Sequence, residues 1–169
     1  MADTVHLMPP AGRIALRGRP DDRAFVEAVA TVLGAAPPAP NVAVFGAASL
    51  YWLQPTSWLV ECDLADVEAL TARLREAVGD RGTAVEVSDT RITYALRGAE
   101  AVTLLNKGCS LDLHPRAFPV GRSALCAFAQ LHALLVKTSD APVFQLSIQR
   151  AAQRHFEEWL AAAQRSWAV

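Results

Sequence analysis

The feature that most constrains the fold is the order in which strand-like and helix-like segments alternate along the chain. Residues 13–17 alternate polar and apolar side chains, the two-residue period of a half-buried strand. A helix-like segment follows, with Asp21 as the expected N-cap and Gly34 as the expected C-cap. The remaining segments of this half are a possible short strand at 42–45, strands at 50–53 and 58–62, a helix at 64–78 and a strand at 85–89.

The second half repeats the same kind of alternation. Its segments are a strand at 92–96, a helix at 99–105, strands at 124–129, 132–137 and 143–149, and a helix at about 150–164. A β-α-β-β-α-β order is typical of the split βαβ arrangement, in which two helices cover one face of a sheet. We therefore predict an α+β fold of two ferredoxin-like halves, about 10–89 and 90–165, packed as a single domain over residues 1–169. No internal sequence identity accompanies this predicted repeat.

Composition and charge narrow the classes of partner. Hydrophobic residues make up 52% of the 169 residues, above the usual range of about 45–50%, which favours a permanent protein partner over an isolated monomer. The net charge is −1 and the basic residues are scattered, so we expect no nucleic-acid partner. Neither a long apolar run nor a signal peptide is recognisable, so we expect no membrane partner and a cytoplasmic location.

Cofactor motifs and paired cysteines are absent from the sequence. No GxGxxG follows a predicted strand and no Walker-type phosphate loop occurs. Cys62, Cys109 and Cys126 are widely spaced and form no CxxC pair, so we expect three free, reduced thiols.

Residues 107–119, KGCSLDLHPRAFP, form the segment richest in candidate functional side chains. They contain three charged residues, a thiol, a histidine and two prolines. In one hypothesis Lys107 lowers the pKa of the Cys109 thiol and His114 acts as its base. In another, Cys109, Asp112 and His114 bind a metal ion, although three candidate ligands at this spacing match no familiar site.

The structural interpretation of the same segment carries more weight. Asp112 and Arg116 lie four residues apart and would form an ion pair that holds an irregular loop. His114 would then be a hydrogen-bonded loop residue, and Cys109 a small buried filler. The residues expected to anchor the loop to the core are Leu111, Leu113 and Phe118.

The longer string KGCSLDLHPRAFPVGR resembles the signature loop of the sarcosine oxidase gamma subunit family. Its surroundings agree: LYWLQPTSWLV at 50–60 is similar to the Trp-Leu-x-Pro-x-x-Trp-Leu hairpin of that family. Residues 87–96 are similar to its central strand pair, and residues 144–160 resemble its closing strand and helix. The resemblance covers roughly residues 50–160, and the loop is its most specific part.

The resemblance implies the fold of the folate-binding domain of glycine-cleavage T proteins and an accessory, non-catalytic subunit. It implies alpha and beta large subunits and a small delta subunit as partners, with FAD, FMN, NAD, tetrahydrofolate and zinc on those subunits and none on this chain. An acidic pair that T proteins use is missing, since 127–132 contains no carboxylate. We expect no catalytic, cofactor-binding or metal residue. The expected loop or interface residues are Lys107, Cys109, Asp112, His114, Arg116 and Trp167.

Three alternatives stay open at this point. The first is the matching subunit of a related demethylating complex such as N-methylglutamate dehydrogenase, because the substrate pocket would lie on another subunit. A freestanding folate-binding protein with the same fold is a second alternative. A small thiol enzyme that uses Cys109 is the third.

Overall fold

The computed structural model describes residues 4–165. The chain divides into a first unit, Pro10–Ser88, and a second unit, Met1–Pro9 together with Asp89–Val169. In chain order the elements are β1 (Val5–Leu7), β2 (Gly12–Gly18), α1 (Arg23–Leu33), β3 (Ala43–Val44), β4 (Ser49–Gln54), β5 (Ser57–Cys62), α2 (Val67–Val78), β6 (Gly82–Glu86), β7 (Arg91–Arg97), α3 (Ala99–Gly108), β8 (Ser123–Phe128), β9 (Leu131–Ser139), β10 (Val143–Gln149) and α4 (Gln153–Arg165).

The first unit is a five-stranded antiparallel sheet in the order β3-β4-β5-β2-β6. Alternate residues of the strands face the two helices, as the two-residue period of a strand requires. The core on that face includes Ile14, Leu16, Phe25, Val29, Trp58, Val60, Leu70 and Leu74. The predicted split βαβ arrangement is confirmed for this unit.

The second unit is also a five-stranded antiparallel sheet, in the order β1-β7-β10-β9-β8. Here β1 lies beside β7 in the place that β6 takes beside β2. Backbone hydrogen bonds extend this pairing at both ends, from Arg97 N to Thr4 O and from Met8 N to Thr93 O, each at 2.8 Å. The N-terminal segment therefore supplies the strand that completes the second ferredoxin-like sheet, which the sequence did not predict.

Helix α4 packs on this sheet through aromatic rings. Phe156 is completely buried, and its ring centroid lies 4.6 Å from that of Tyr94 and 6.0 Å from that of Trp159. The ring of Phe128 contacts both helix residues, with its centroid 6.1 Å from that of Phe156 and 5.0 Å from that of Trp159. The three- and four-residue spacing of Phe156, Trp159 and Leu160 predicts this inward face, and the structure confirms it.

The ends of α1 show one confirmed and one wrong prediction. Gly34 adopts the left-handed conformation with φ of 75° and ends the helix, as predicted. The N-cap is Asp22, whose Oδ1 accepts hydrogen bonds from the Ala24 and Phe25 amides. Asp21, the predicted cap, instead pairs with Arg19 at 2.8 Å. Adjacent aspartates are equivalent in sequence, and only the backbone geometry distinguishes them.

No helix within residues 4–165 combines the length and the apolar character that crossing a bilayer would require.

Candidate functional site

The segment 107–122 begins at the end of α3, where Gly108 lies against the ring of Phe128. A Cβ atom placed on Gly108 would come within 2.3 Å of Phe128 Cζ, so no other residue fits without moving that ring. The Gly108 carbonyl also accepts a hydrogen bond from the Ala129 amide at 2.8 Å. The glycine of the Lys-Gly-Cys element is therefore a packing residue.

Lys107 connects α3 to the end of α4. Its ammonium donates a hydrogen bond to the Ala163 carbonyl at 2.9 Å, in the last turn of α4. A cation at this position is favoured, because the C-terminal carbonyls of a helix carry partial negative charge. Lys107 thus holds two helices of the second unit together.

Asp112, His114 and Arg116 organise the loop through backbone amides. Asp112 Oδ1 accepts from the His114 amide at 2.9 Å, and His114 Nδ1 accepts from the Arg116 amide at 3.2 Å. In the neutral ring the proton therefore lies on Nε2. The His114 carbonyl accepts from the amides of Ala117 and Phe118, both at 2.8 Å. These bonds make the segment a compact turn.

The predicted ion pair between Asp112 and Arg116 is wrong. Asp112 forms a local side-chain-to-backbone bond instead, in the manner of an Asx turn. An exposed ion pair would contribute only about 0–1 kcal/mol and would have to order a long arginine side chain. The short carboxylate is satisfied at lower entropic cost by a nearby amide.

The apolar anchors of the loop behave as predicted. Leu113 and Phe118 are each 3% exposed and belong to the core of the second unit. The Phe118 ring lies 6.4 Å from that of Phe144, centroid to centroid. Leu111 packs against the same core while partly exposed.

Cys109 is half-buried and lies next to Cys126 of β8, a neighbour that sequence reasoning missed. The Cys126 thiol donates to Cys109 and lowers its pKa to about 6; burial opposes this shift and a backbone hydrogen bond at Leu111 assists it. The pKa of Cys126 is raised in return, by that hydrogen bond and by burial. Protonated Cys109 has the Leu105 carbonyl as an acceptor at 3.4 Å. Both cysteines are free thiols.

The acidification of Cys109 thus has a different cause from the one proposed from sequence, where Lys107 and His114 were the partners. The metal hypothesis finds no support either: among the residues that the structure describes, no group of three or more His, Cys, Asp or Glu side chains is placed to hold a metal ion. Trp167, the remaining predicted interface residue, lies outside residues 4–165.

A cavity of about 510 Å³ opens beside the loop in the second unit. It lies between α3, the loop and the turn from β9 to β10. Its polar lining is formed by Asn106, Asp112, His114, Lys137 and Asp140. Lys137 and Asp140 are far from the loop in sequence, and only the sheet brings them to it.

The fold defines the class of protein first. Aminomethyltransferase T of the glycine cleavage system from Bartonella henselae matches 92% of this chain and 44% of its own, with a TM-score of 0.68 and 14% identity. A chain of the heterotetrameric sarcosine oxidase from Corynebacterium sp. U-96 matches 98% of this chain and 85% of its own, with a TM-score of 0.87 and 24% identity. The chain therefore shares the fold of the glycine-cleavage T protein, as predicted.

The chain belongs to the sarcosine oxidase, gamma subunit family, whose model matches residues 17–166. Sarcosine oxidase subunit gamma from Arthrobacter sp. is 33% identical over 117 residues, 67% of this chain and 57% of the relative. The Corynebacterium sp. U-96 subunit is 29% identical over 113 residues, 66% of this chain and 54% of the relative. The chain thus spans little more than half the length of these two relatives.

Proposed function

We propose that this chain is the accessory gamma subunit of a heterotetrameric sarcosine oxidase. The observation that carries the proposal is the family match over residues 17–166. The signature loop of the second unit, with its Lys-Gly-Cys and Leu-Asp-Leu-His-Pro-Arg elements, lies inside that match. The oxidase would demethylate sarcosine oxidatively and pass the one-carbon unit to tetrahydrofolate.

The chain itself would act as scaffold, folded as one domain over residues 1–169. The polar groups of its loop support this role because they bind the chain's own backbone: Lys107 bonds to Ala163, Asp112 to His114, and His114 to Arg116. FAD, FMN, NAD, tetrahydrofolate and zinc would be held by alpha, beta and delta subunits.

Exposed apolar side chains support a protein partner. Leu7 on β1 is 54% exposed and Val85 on β6 is 48% exposed. These two strands form an edge of their respective sheets, and an apolar edge strand left in water is prone to pair with other chains. We propose that neighbouring subunits cover such positions in the assembled oxidase.

The test is co-expression of this chain, carrying an affinity tag, with the two large subunits and the small subunit. We expect the tag to recover all four, with flavin absorbance and oxidation of sarcosine by the complex. Oxidation of N-methylglutamate instead of sarcosine would show that the complex is the related N-methylglutamate dehydrogenase. Turnover of sarcosine by the purified chain alone would contradict an accessory role, and calorimetric binding of tetrahydrofolate to that chain would favour the freestanding folate-binding protein.

A truncation after Gln164 tests the proposed docking of Trp167. We expect the truncated chain to recover less of the large subunits than the full-length chain does. Substitution of Trp167 by Phe is the matched control, because it keeps a large apolar ring. Unchanged co-purification of the truncated chain would remove Trp167 from the interface.

A further inference from the structure

Lys137 is a buried lysine whose ammonium has no partner among residues 4–165. It lies near the end of β9, is 4% exposed, and lines the cavity beside the loop. Its cross-strand neighbour is Phe144, so its side chain projects from the helix-covered face of the sheet. Within residues 4–165 its ammonium makes no hydrogen bond and no ion pair. The nitrogen is not among the fully enclosed unpaired polar atoms, so it retains access to the open space of the cavity.

A second buried cation shows what such a group ordinarily requires. Arg13 in the first unit is 2% exposed, and its Nε lies 2.8 Å from Glu61 Oε2. Burying a charge is costly unless it is paired and hydrogen-bonded, and lysine is seldom fully buried without a partner. Lys137 has the burial of Arg13 but lacks its carboxylate, and the open space next to it is the cavity.

The other lining residues distinguish an inner end of the cavity from its mouth. Asp112 and Asp140 also line it but are exposed, so they lie nearer its mouth than buried Lys137 does. The Asn106 carboxamide adds hydrogen-bonding capacity on the side of α3. The apolar part of the wall includes Leu111, Leu113 and Phe144. A volume of about 510 Å³ lies within the range of small-molecule sites.

We propose that this cavity binds a small amino acid with an apolar side chain. Its carboxylate binds the Lys137 ammonium, its amine faces Asp112 and Asp140, and its side chain lies on the apolar wall. The Lys137 ammonium neutralises the carboxylate at the inner end of the ligand. The two exposed carboxylates disfavour a multiply charged anion such as phosphate and favour a ligand that also carries a positive charge. This site is independent of the proposed role as a subunit, which requires no ligand on this chain.

Isothermal calorimetry on the full-length chain, in the assembly in which it is purified, tests the site with four probes. L-leucine carries the carboxylate, the amine and the apolar side chain that the proposal requires. Of the other probes, 4-methylpentanoate lacks the amine, 3-methylbutylamine lacks the carboxylate, and inorganic phosphate is only an anion. We expect leucine to bind most tightly, methylpentanoate at least several-fold more weakly, and the amine and phosphate not measurably. Equal or tighter binding of phosphate or the amine would overturn the proposal, as would no heat with leucine.

Variants then assign the contacts. Lys137→Met keeps the volume of the side chain and should weaken leucine binding at least 10-fold. Lys137→Arg should retain most of the affinity for leucine. Asp112→Asn with Asp140→Asn should weaken leucine and leave methylpentanoate unchanged. Lys107→Met is the control, since Lys107 does not line the cavity. If Lys137→Met keeps its Tm and still binds leucine as the parent does, the assignment is wrong.

Discussion

The two units share one sheet order but are completed from different parts of the chain. In the first unit the outer strand β6 follows α2 directly in sequence. In the second unit nothing described follows α4, and the corresponding strand β1 comes from the N-terminus. The same architecture is therefore reached with two connectivities, which shows that the spatial order of strands, rather than their order in the chain, is what the core requires.

The units differ again in the connection that follows their first helix. In the first unit, residues 35–42 include three prolines, and the Pro38 carbonyl accepts a hydrogen bond from Trp58 Nε1 at 3.0 Å. In the second unit the connection is the 109–122 loop, which borders the cavity. A stiff connector needs few side chains to hold it. The second connection carries a thiol, a histidine and three charged side chains, and this is where the candidate site lies.

The largest effect is expected from removing the central ring of either unit. Phe156→Ala should lower the free energy of unfolding by about 3–5 kcal/mol, because a completely buried ring is lost together with its aromatic contacts. Phe25→Ala is the matched variant in the first unit, since Phe25 is equally buried but has one ring contact, with Trp58 at 5.9 Å. Chemical denaturation measures both.

We expect Phe156→Ala to be the more damaging of the two. The exposed Glu158→Ala on the same helix is the control and should change stability by less than about 0.5 kcal/mol. A loss below about 2 kcal/mol for Phe156→Ala would mean that the aromatic cluster does not hold α4 on the sheet.

The cysteines sharpen the comparison between the units. The pKa of Cys62 is raised by burial and by the carboxylates of Asp66 and Asp63, whereas that of Cys109 is lowered to about 6. Because the thiolate is the reactive form, a lower pKa means that modification begins at lower pH. Iodoacetamide labelling followed by mass spectrometry should give Cys109 a midpoint near pH 6, while labelling of Cys62 still increases at alkaline pH.

The partner thiol supplies the control for that experiment. Cys126→Ala removes the donor, so the midpoint of Cys109 should rise to roughly 8–9 or above. Cys126→Ser keeps a donor and should leave the midpoint low. A midpoint that does not respond to Cys126→Ala would show that another group acidifies Cys109.

A smaller effect is expected at the contact between α3 and α4. Lys107→Met removes the ammonium bonded to the Ala163 carbonyl and should cost about 1 kcal/mol, from a charged hydrogen bond and the helix dipole at a partly exposed site. Arg154→Met on α4 is the comparison, because its exposed ion pair with Glu158 at 2.9 Å should contribute less than about 0.5 kcal/mol. Equal losses in thermal unfolding would remove any special role for Lys107.

The smallest effect concerns the turn between β8 and β9. Ala129 and Gln130 have φ of 47° and 67°, a left-handed conformation that a two-residue hairpin prefers to fill with Asn-Gly. The double variant Ala129→Asn, Gln130→Gly should raise the free energy of unfolding by about 0.5–1 kcal/mol. Gln130→Ala, which relieves no strain, should not. Destabilisation by the double variant would show that the Ala129 side chain matters more than its backbone.

Sequence pattern predicted most of the architecture because helix and strand periodicity is a local property. The strand-helix order of both units and the inward face of α4 follow from residue spacing alone. The loop anchors Leu113 and Phe118 were also identifiable, since apolar residues in a polar segment seek the core.

What the sequence did not predict depends on contacts between distant residues. A three-residue strand such as β1 is too short to show a period, and its partner β7 lies about half the length of the chain away. The proximity of Cys126 to Cys109 and of Lys137 to the loop arises from sheet register. The alternation of side chains on β8 does place Cys126 on the same face of the sheet as Phe128. That is the face on which Cys109 also packs, and it is the one sequence pattern that could have indicated the contact between the two cysteines.

The placement of β1 has a consequence for the order of events on the ribosome. Val5–Leu7 is synthesised before its partner, and β7 follows only about 90 residues later, roughly 5–20 s at typical elongation rates. During that interval the first unit can fold in full while the leading segment has no strand to join. An affinity tag or fusion placed directly before Val5 would therefore interfere with completion of the second sheet rather than with folding of the first unit.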